Sequence, residues 1–583
     1  MKPLIGRSLS VLLSIVLLAS CASAQKVDPS TPQAVPSSPV KESPPKKLPP
    51  PKPRAYYHFL LSQLNLREGK LDEAIEELRE AITHDQKEPS LRVDLASLYI
   101  YKGLMNEAIE ECQAAIRVDP LHLTAHLLLG GIYSSLKKNQ LAIDSYKKAI
   151  EISPQHRESH LYLSSLYAEG REYEKAIHLL QQFLQMEPNS AMGLYSLGRI
   201  YAETKSYDKA EEYFLKVLAI EPNQVHALMD LGIVYEIQNE TQKAEEVYQR
   251  ILTLYPDHKQ ARNRLGQTYI KEKKLDEALT QFQELQKSGS GDLNIRTKIG
   301  LIYLEQGKLD QAILEFNFVL GASPGDDRVR YYLGAAYVEK GALDLAIAEF
   351  KKIPVESNLF ADSRRSIVLI FKKQNRTQDA FRLMEESIQA KPKEPDLYLI
   401  LAALFEQEEQ LPRALETLKK GLAQNSENVD LHYQLSALYD KMGDFEKMVS
   451  GMKEVLRLDP DHADALNYLG YSYAEKEIHL EEALRMIQKA MALKPHMGYI
   501  TDSLGWAYFK LGDYARAVEE LEKANQLTPN DPVVTEHLGD GYSKLSRMDK
   551  ARELYEKALT LNPKPDQMER LKKKIEELRG KKN

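Results

Sequence analysis

Histidines four residues apart are the first groups in this 583-residue chain whose types and spacing could do chemistry. His122 with His126, and His156 with His160, would each set two imidazoles on one helical face, a geometry suited to a metal ion. The two pairs also lie 34 residues apart, and His258 and His462 fall in the phase of His122 and His156. That common phase marks a turn position in a repeated unit, so no metal is expected. Cys112 sits in a phase that elsewhere holds Tyr146, Phe214, Tyr248, Phe282 and Phe316, and it reads as a buried core thiol. The sequence has no HExxH, glycine-rich phosphate loop, nucleophile elbow or clustered Cys/His spacing. Acid pairs such as Glu245 and Glu246 have the pattern of a solvated helix face. A protein with no enzymatic activity, no cofactor and no small-molecule substrate is expected.

Function must then come from the elements that carry these phases. From Ala55 the chain divides every 34 residues, with starts at 55, 89, 123 and onward to 532 and one 35-residue interval at 463–498. Position 8 is Gly, Ala or Ser in 14 of 15 copies, position 11 is Tyr or Phe in 14, and position 20 is Ala in 14. Small residues at positions 8 and 20 let two helices cross closely, and a ring at position 11 fills the wedge beside them. Proline at position 32 in 11 of 15 copies ends the second helix and begins the turn to the next unit.

In these features the chain resembles the tetratricopeptide repeat (TPR) proteins over residues 55 to about 563. The resemblance implies an all-α, right-handed α-solenoid of about fifteen 34-residue helix-turn-helix repeats, with first helices lining a concave groove. Residues 566–579 place Met568, Leu571, Ile575 and Leu578 on one face, as a C-terminal capping helix needs. The irregular joints are QKSGSGD at 286–292, the early Pro354 and the odd Val368. They suggest an N-terminal subarray (55–290), irregular repeats forming a hinge (291–360), a C-terminal subarray (361–563), and a cap and tail (564–583).

In such a fold, positions 2, 5, 9, 12 and 13 are expected to project into the groove rather than into neighbours. In the N-terminal half they include Tyr101, Tyr195, Met229 and Ile233; near the C-terminus they are Tyr433, Asp464, Asn467, Tyr471, Tyr499, Asp502, Trp506 and Phe509. Tyr, Trp and Met in a groove suit capture of an extended segment or helix of another protein. Trp506 is the only tryptophan, at a position where the repeat does not require one for its own packing.

The N-terminus gives an address. Residues 1–20 read as a basic start, an apolar run from Leu9 to Leu18 and small residues, a secretory signal too short for a comfortable membrane span. Leu18-Ala19-Ser20-Cys21 resembles the lipobox of bacterial lipoproteins, which implies that Cys21 is lipidated and becomes the mature N-terminus. Ala22 after it fits outer-membrane sorting in a Gram-negative host. Residues 21–54 would be the anchor and a proline-rich tether, reaching on the order of 100 Å at ~3.1 Å per residue if fully extended. Net charge is -7, but the first 54 residues carry eight basic groups against Asp28 and Glu42, so the remainder is at -13. An acidic body argues against nucleic acid as the ligand.

The stretch 465–524 is similar to the outer-membrane lipoprotein adaptors of carboxyl-terminal processing proteases. That similarity implies a periplasmic, membrane-anchored scaffold that recruits a protease and its cell-wall hydrolase substrates. Two other roles compete: assembly of an envelope machine such as a pilus or exopolysaccharide exporter, and direct binding of peptidoglycan or another glycan.

Overall fold

The computed structural model describes residues 52–289 and 291–580. Cys21, the signal segment and nearly all of the tether lie outside them. The described residues form 31 helices, fifteen pairs and a last single helix. They fall into two compact units, one ending at Gly193 and one beginning at Leu194. The first holds four complete pairs, from Pro53–Arg67 with Leu71–His84 to Arg157–Glu169 with Tyr173–Met186. The second holds the remaining pairs and ends in Pro565–Gly580. Among the described residues no helix is long and apolar enough to cross a membrane.

The repeated residues explain why one pair is copied. A Cβ placed on the position 8 glycine would come within 2.8 Å of the Tyr146 ring at Gly130, 2.5 Å of the Tyr248 ring at Gly232 and 2.6 Å of the Phe316 ring at Gly300. The small residue is therefore required by the ring at position 24 of its own second helix, and the alanines at position 20 are fully buried at the same crossing. The ring at position 11 has another task. Its hydroxyl accepts hydrogen bonds from position 25 of the preceding repeat, as in Arg79 to Tyr99 (2.8 Å), Gln249 to Tyr269 (2.9 Å) and Gln283 to Tyr303 (3.1 Å). Cys112 is fully buried, and burial pushes its thiol up to about 12.

Turn chemistry is equally regular. Position 15 has positive φ in all fifteen repeats, occupied by glycine at six (Gly69, Gly103, Gly307, Gly341, Gly443 and Gly512) and by residues such as Lys205, Asn239 and Glu409 elsewhere. The position 34 histidines are helix N-caps: Nδ1 of His122, His156, His258 and His462 accepts the backbone N–H three residues on, at 3.1 to 3.3 Å. The second members of the pairs turn elsewhere, His126 to the Pro120 carbonyl and His160 onto the Phe183 ring.

Departures from the repeat have local causes. The second helix before Pro354 is only nine residues, Leu343–Lys351. Its exposed end is sealed by buried Arg364, which donates to the carbonyls of Phe350 (2.9 Å) and Ile353 (3.4 Å) and lies 4.2 Å from the Phe360 ring. Burial lowers the Arg364 pKa to about 10. The extra residue near 475–480 is absorbed in the turn, where Glu477 and His479 are both left-handed and the helix resumes at Leu480. At the C-terminus Leu571 and Ile575 of the last helix join the core of the preceding pairs, as the amphipathic pattern predicts.

Candidate partner-binding site

The first helices carry the predicted groove residues, and the structure separates them into distinct environments. Tyr101, at position 13 of the second repeat, is 81% exposed. Met229 and Ile233 are half-buried. Position 5 differs from the expectation that it points only into open space: it reaches position 6 of the next repeat, 35 residues on. Tyr195 donates to Asp230 Oδ2 (2.7 Å), Lys298 donates to Asn263 Oδ1 (2.8 Å), and the hydroxyls of Tyr331 and Ser366 lie 3.1 Å apart. Tyr433 meets Tyr468 edge-on, with ring centroids 6.2 Å apart. The physical reason is the stacking of successive first helices, which brings these two positions side by side across each junction.

The strongest of these junctions lies in the C-terminal repeats. Asp502 accepts from His537 Nδ1 at 3.0 Å to each oxygen, and both residues are buried. The His537 ring stacks on Trp506 with centroids 4.0 Å apart and planes within 15°. Trp506 also stacks against Phe509 at 4.8 Å, with Lys510 Nζ 5.0 Å from its ring, and donates from Nε1 to Glu475 Oε2 at 2.7 Å. Trp506 is only 7% exposed and Asp502 6%. These two predicted groove residues spend their surface on neighbouring repeats. Burial opposes protonation of His537, but the Asp502 carboxylate, aided by Asp540 and Glu536, outweighs it and raises the imidazole pKa above its ordinary value. The last helix completes the network where a further repeat would stand: Gln567 donates to Glu536 at 2.9 Å, and Lys574 reaches Glu536 at 2.8 Å and Asp540 at 2.7 Å.

Beside this network is an open cleft of about 450 Å³, lined by residues from consecutive first helices. Tyr468, Tyr471 and Glu475 come from Ala463–Glu475, Tyr499 and Asp502 from Gly498–Lys510, and Asp440 from the end of Val429–Lys441. Tyr499 is 46% exposed and donates to Asp464 Oδ1 at 2.7 Å. Burial and the Asp464 bond push its pKa up to about 12. For Asp464, burial works against ionisation, but bonds from Lys494 and Tyr499 prevail and hold its carboxyl below the ordinary range. Tyr471 is raised by burial and then by the nearby Glu475 and Asp502 charges. The structure thus gathers Tyr471, Tyr499 and Asp502 at one cleft, with Trp506 and Phe509 in the adjoining packed layer. Tyr433 stacks on His462, while Tyr101, Tyr195, Met229 and Ile233 line no part of it. His537 and Tyr468, both at position 6, are missed by the position rule, whereas Asp440 and Glu475 stand at positions 12 and 13 of their repeats, within it. Complementary residue types 35 apart, Asp502 with His537 and Tyr195 with Asp230, are the signal that could have found the His537 pairing.

Sequence models of the tetratricopeptide repeat match residues 65–132, 123–156, 163–225, 237–298, 297–358, 429–462, 502–531 and 536–565. The chain is a tetratricopeptide repeat protein. A TPR repeat-containing protein of Pseudomonas aeruginosa is 39% identical to it over 66 residues, so the match spans 11% of either protein. Among solved structures, a tetratricopeptide repeat protein from Parabacteroides merdae is 22% identical, covering 43% of this TPR protein and 98% of that chain with a TM-score of 0.32. Yeast Tom70 is 14% identical over 91% of this chain and 96% of its own, with a TM-score of 0.32. The Cut9–Hcn1 structure gives 17% identity, 78% and 96% coverage and a TM-score of 0.35. This TPR protein is thus a repeat scaffold of a kind that binds proteins and peptides.

Proposed function

We propose that this protein is a lipid-anchored periplasmic adaptor that captures segments of partner proteins in its C-terminal cleft, bringing a carboxyl-terminal processing protease to its cell-wall hydrolase substrates. The observation that carries the reading is the cleft itself: Tyr468, Tyr471 and Tyr499 line a concavity that spans consecutive first helices. Tyrosines offer large, rigid contact area at low entropic cost, as protein-capturing surfaces require. Lipidation at Cys21 and the proline-rich tether would hold the cleft away from the membrane surface. The similarity of residues 465–524 to the protease adaptors coincides with the repeats that build the cleft.

The test is in-cell crosslinking and pull-down of the full-length protein beside a Tyr499→Ala variant, with membrane fractionation of Cys21→Ser. Co-recovery of a protease and a wall hydrolase, reduced at least tenfold in Tyr499→Ala, is expected, together with release of Cys21→Ser from membranes. Recovery of a secretin or a synthase complex instead would overturn the adaptor role in favour of envelope assembly.

A further inference from the structure

The cleft holds an unanswered acceptor. Asn467, on Ala463–Glu475, lines it and is 8% exposed, and its side-chain carbonyl oxygen is buried without a hydrogen-bond partner. A buried acceptor left unpaired is costly, and a donor entering the cleft would answer it. The carboxylates around it point to the donor's charge. Asp440 accepts from the Tyr468 hydroxyl (2.7 Å), Glu475 from the Trp506 indole (2.7 Å) and Asp531 from the backbone N–H of Val533 (2.8 Å). All three donors are neutral. The one lysine in the lining, Lys476, lies 5.8 Å from the Phe445 ring. Asp502, the fourth carboxylate, is already matched by His537.

Building on the adaptor reading, we infer that this cleft takes the guanidinium of an arginine side chain presented by an extended partner segment, with Asn467 Oδ1 and the Glu475 and Asp440 carboxylates accepting its N–H groups and Tyr468, Tyr471 and Tyr499 supplying the ring faces. Arginine fits better than lysine for two reasons. Its planar fork presents five donors to acceptors spread over two helices, Asn467 and Glu475 on one and Asp440 on the other, and its weakly hydrated plane stacks on aromatic rings. An acidic segment would set like charges together, and a neutral one could answer the Asn467 oxygen but would leave the Asp440 and Glu475 charges uncompensated.

Trp506, the only tryptophan, donates to Glu475 and so reports on the cleft by its own fluorescence. The experiment titrates the full chain at fixed pH with a blocked pentapeptide carrying one central arginine between serines, and with matched citrulline and lysine peptides. The arginine peptide should give a saturable change in emission, with citrulline at least tenfold weaker and lysine at least threefold weaker. Asn467→Asp should tighten the arginine complex at least threefold, because it adds charge at the orphan oxygen. Asn467→Leu should weaken it at least fivefold. If Asn467→Leu fails to fold, judged by circular dichroism, Asn467→Asp and the citrulline comparison still decide.

Equal binding of arginine and citrulline peptides, no saturable response up to millimolar peptide, or lysine binding as tightly as arginine would overturn the assignment. A response seen only after deletion of residues 22–51 would overturn it in favour of the chain's own proline-rich segment, with its lysines, as the occupant. Should the arginine peptide fail while Tyr499-dependent partner capture persists, the guanidinium assignment falls and the adaptor reading stands. Loss of both removes the cleft as a partner site.

Discussion

Tyr101 and Trp506 are both inner-face aromatics by repeat position, one in the second repeat and one in the fourteenth, yet their surroundings are opposite. Tyr101 stands 81% exposed, while Trp506 is stacked on His537 and Phe509 and bonded to Glu475. Repeat phase sets where a side chain starts, and the adjoining repeats decide whether it is consumed by the fold. In the C-terminal repeats the neighbours are matched to one another, and that matching shapes the cleft beside them. An aromatic on the inner face is therefore a binding candidate only after its partners in the next repeat have been counted.

The sharpest way to break this comparison is to truncate both rings. Trp506→Ala should destabilise the C-terminal repeats by about 3–5 kcal/mol, whereas Tyr101→Ala should stay within about 0.5 kcal/mol. Hydrogen exchange across Gly498–Lys510 and Pro89–Tyr101, region by region, measures both in the full chain, whose repeats need not unfold as one unit. Equal losses would mean that the two aromatics play the same role.

Removing the charge beneath Trp506 comes next. Asp502→Ala strands a buried imidazole and should cost about 3 kcal/mol. The pair also predicts a direction with pH. Since the folded state raises the His537 pKa, its contribution is fully present below the ordinary value of 6.5 and is lost as pH rises through the higher folded value. Local exchange protection of the last repeats should therefore fall over that window above 6.5, and in His537→Gln this change should vanish. His258 runs the other way. Burial lowers its pKa, which favours the neutral ring whose Nδ1 caps the helix, so that contribution is present above 6.5 and lost on acidification.

A smaller effect sharpens the same rule in the first junction of the second unit. Tyr195→Phe deletes the bond to Asp230 and should cost about 1–2 kcal/mol, seen as faster exchange in Val225–Ile237. The smallest is Glu409→Gly, which relieves a left-handed residue at position 15 and should stabilise by no more than about 1 kcal/mol, read from the melting temperature.

Much of the fold is legible in the sequence because the repeat is written in residues with only local work to do. Gly232 clears Tyr248, Ala244 sits at the crossing, and Pro256 opens the next turn. The shortened helix before Pro354 and the cap face of Leu571 and Ile575 follow from the same elementary rules. The site is less legible. Tyr499 and Tyr471, at positions 2 and 9, lie at one cleft, but nothing within a single repeat tells that Asp502 and Trp506 are occupied. Their partners, His537 and Glu475, lie 35 residues ahead and 31 behind. The information sits in the relation between units, so a reading of each unit alone overstates the open groove.

The central claim, that the C-terminal cleft captures a partner, is tested most directly by site-specific photocrosslinking. A crosslinking amino acid replaces Tyr499 or, separately, Tyr162, an exposed tyrosine in the first unit outside the cleft. The account predicts a discrete protein adduct in cells from position 499 and none of the same mass from position 162. An adduct from 162 alone, or the same adduct from both, would contradict it.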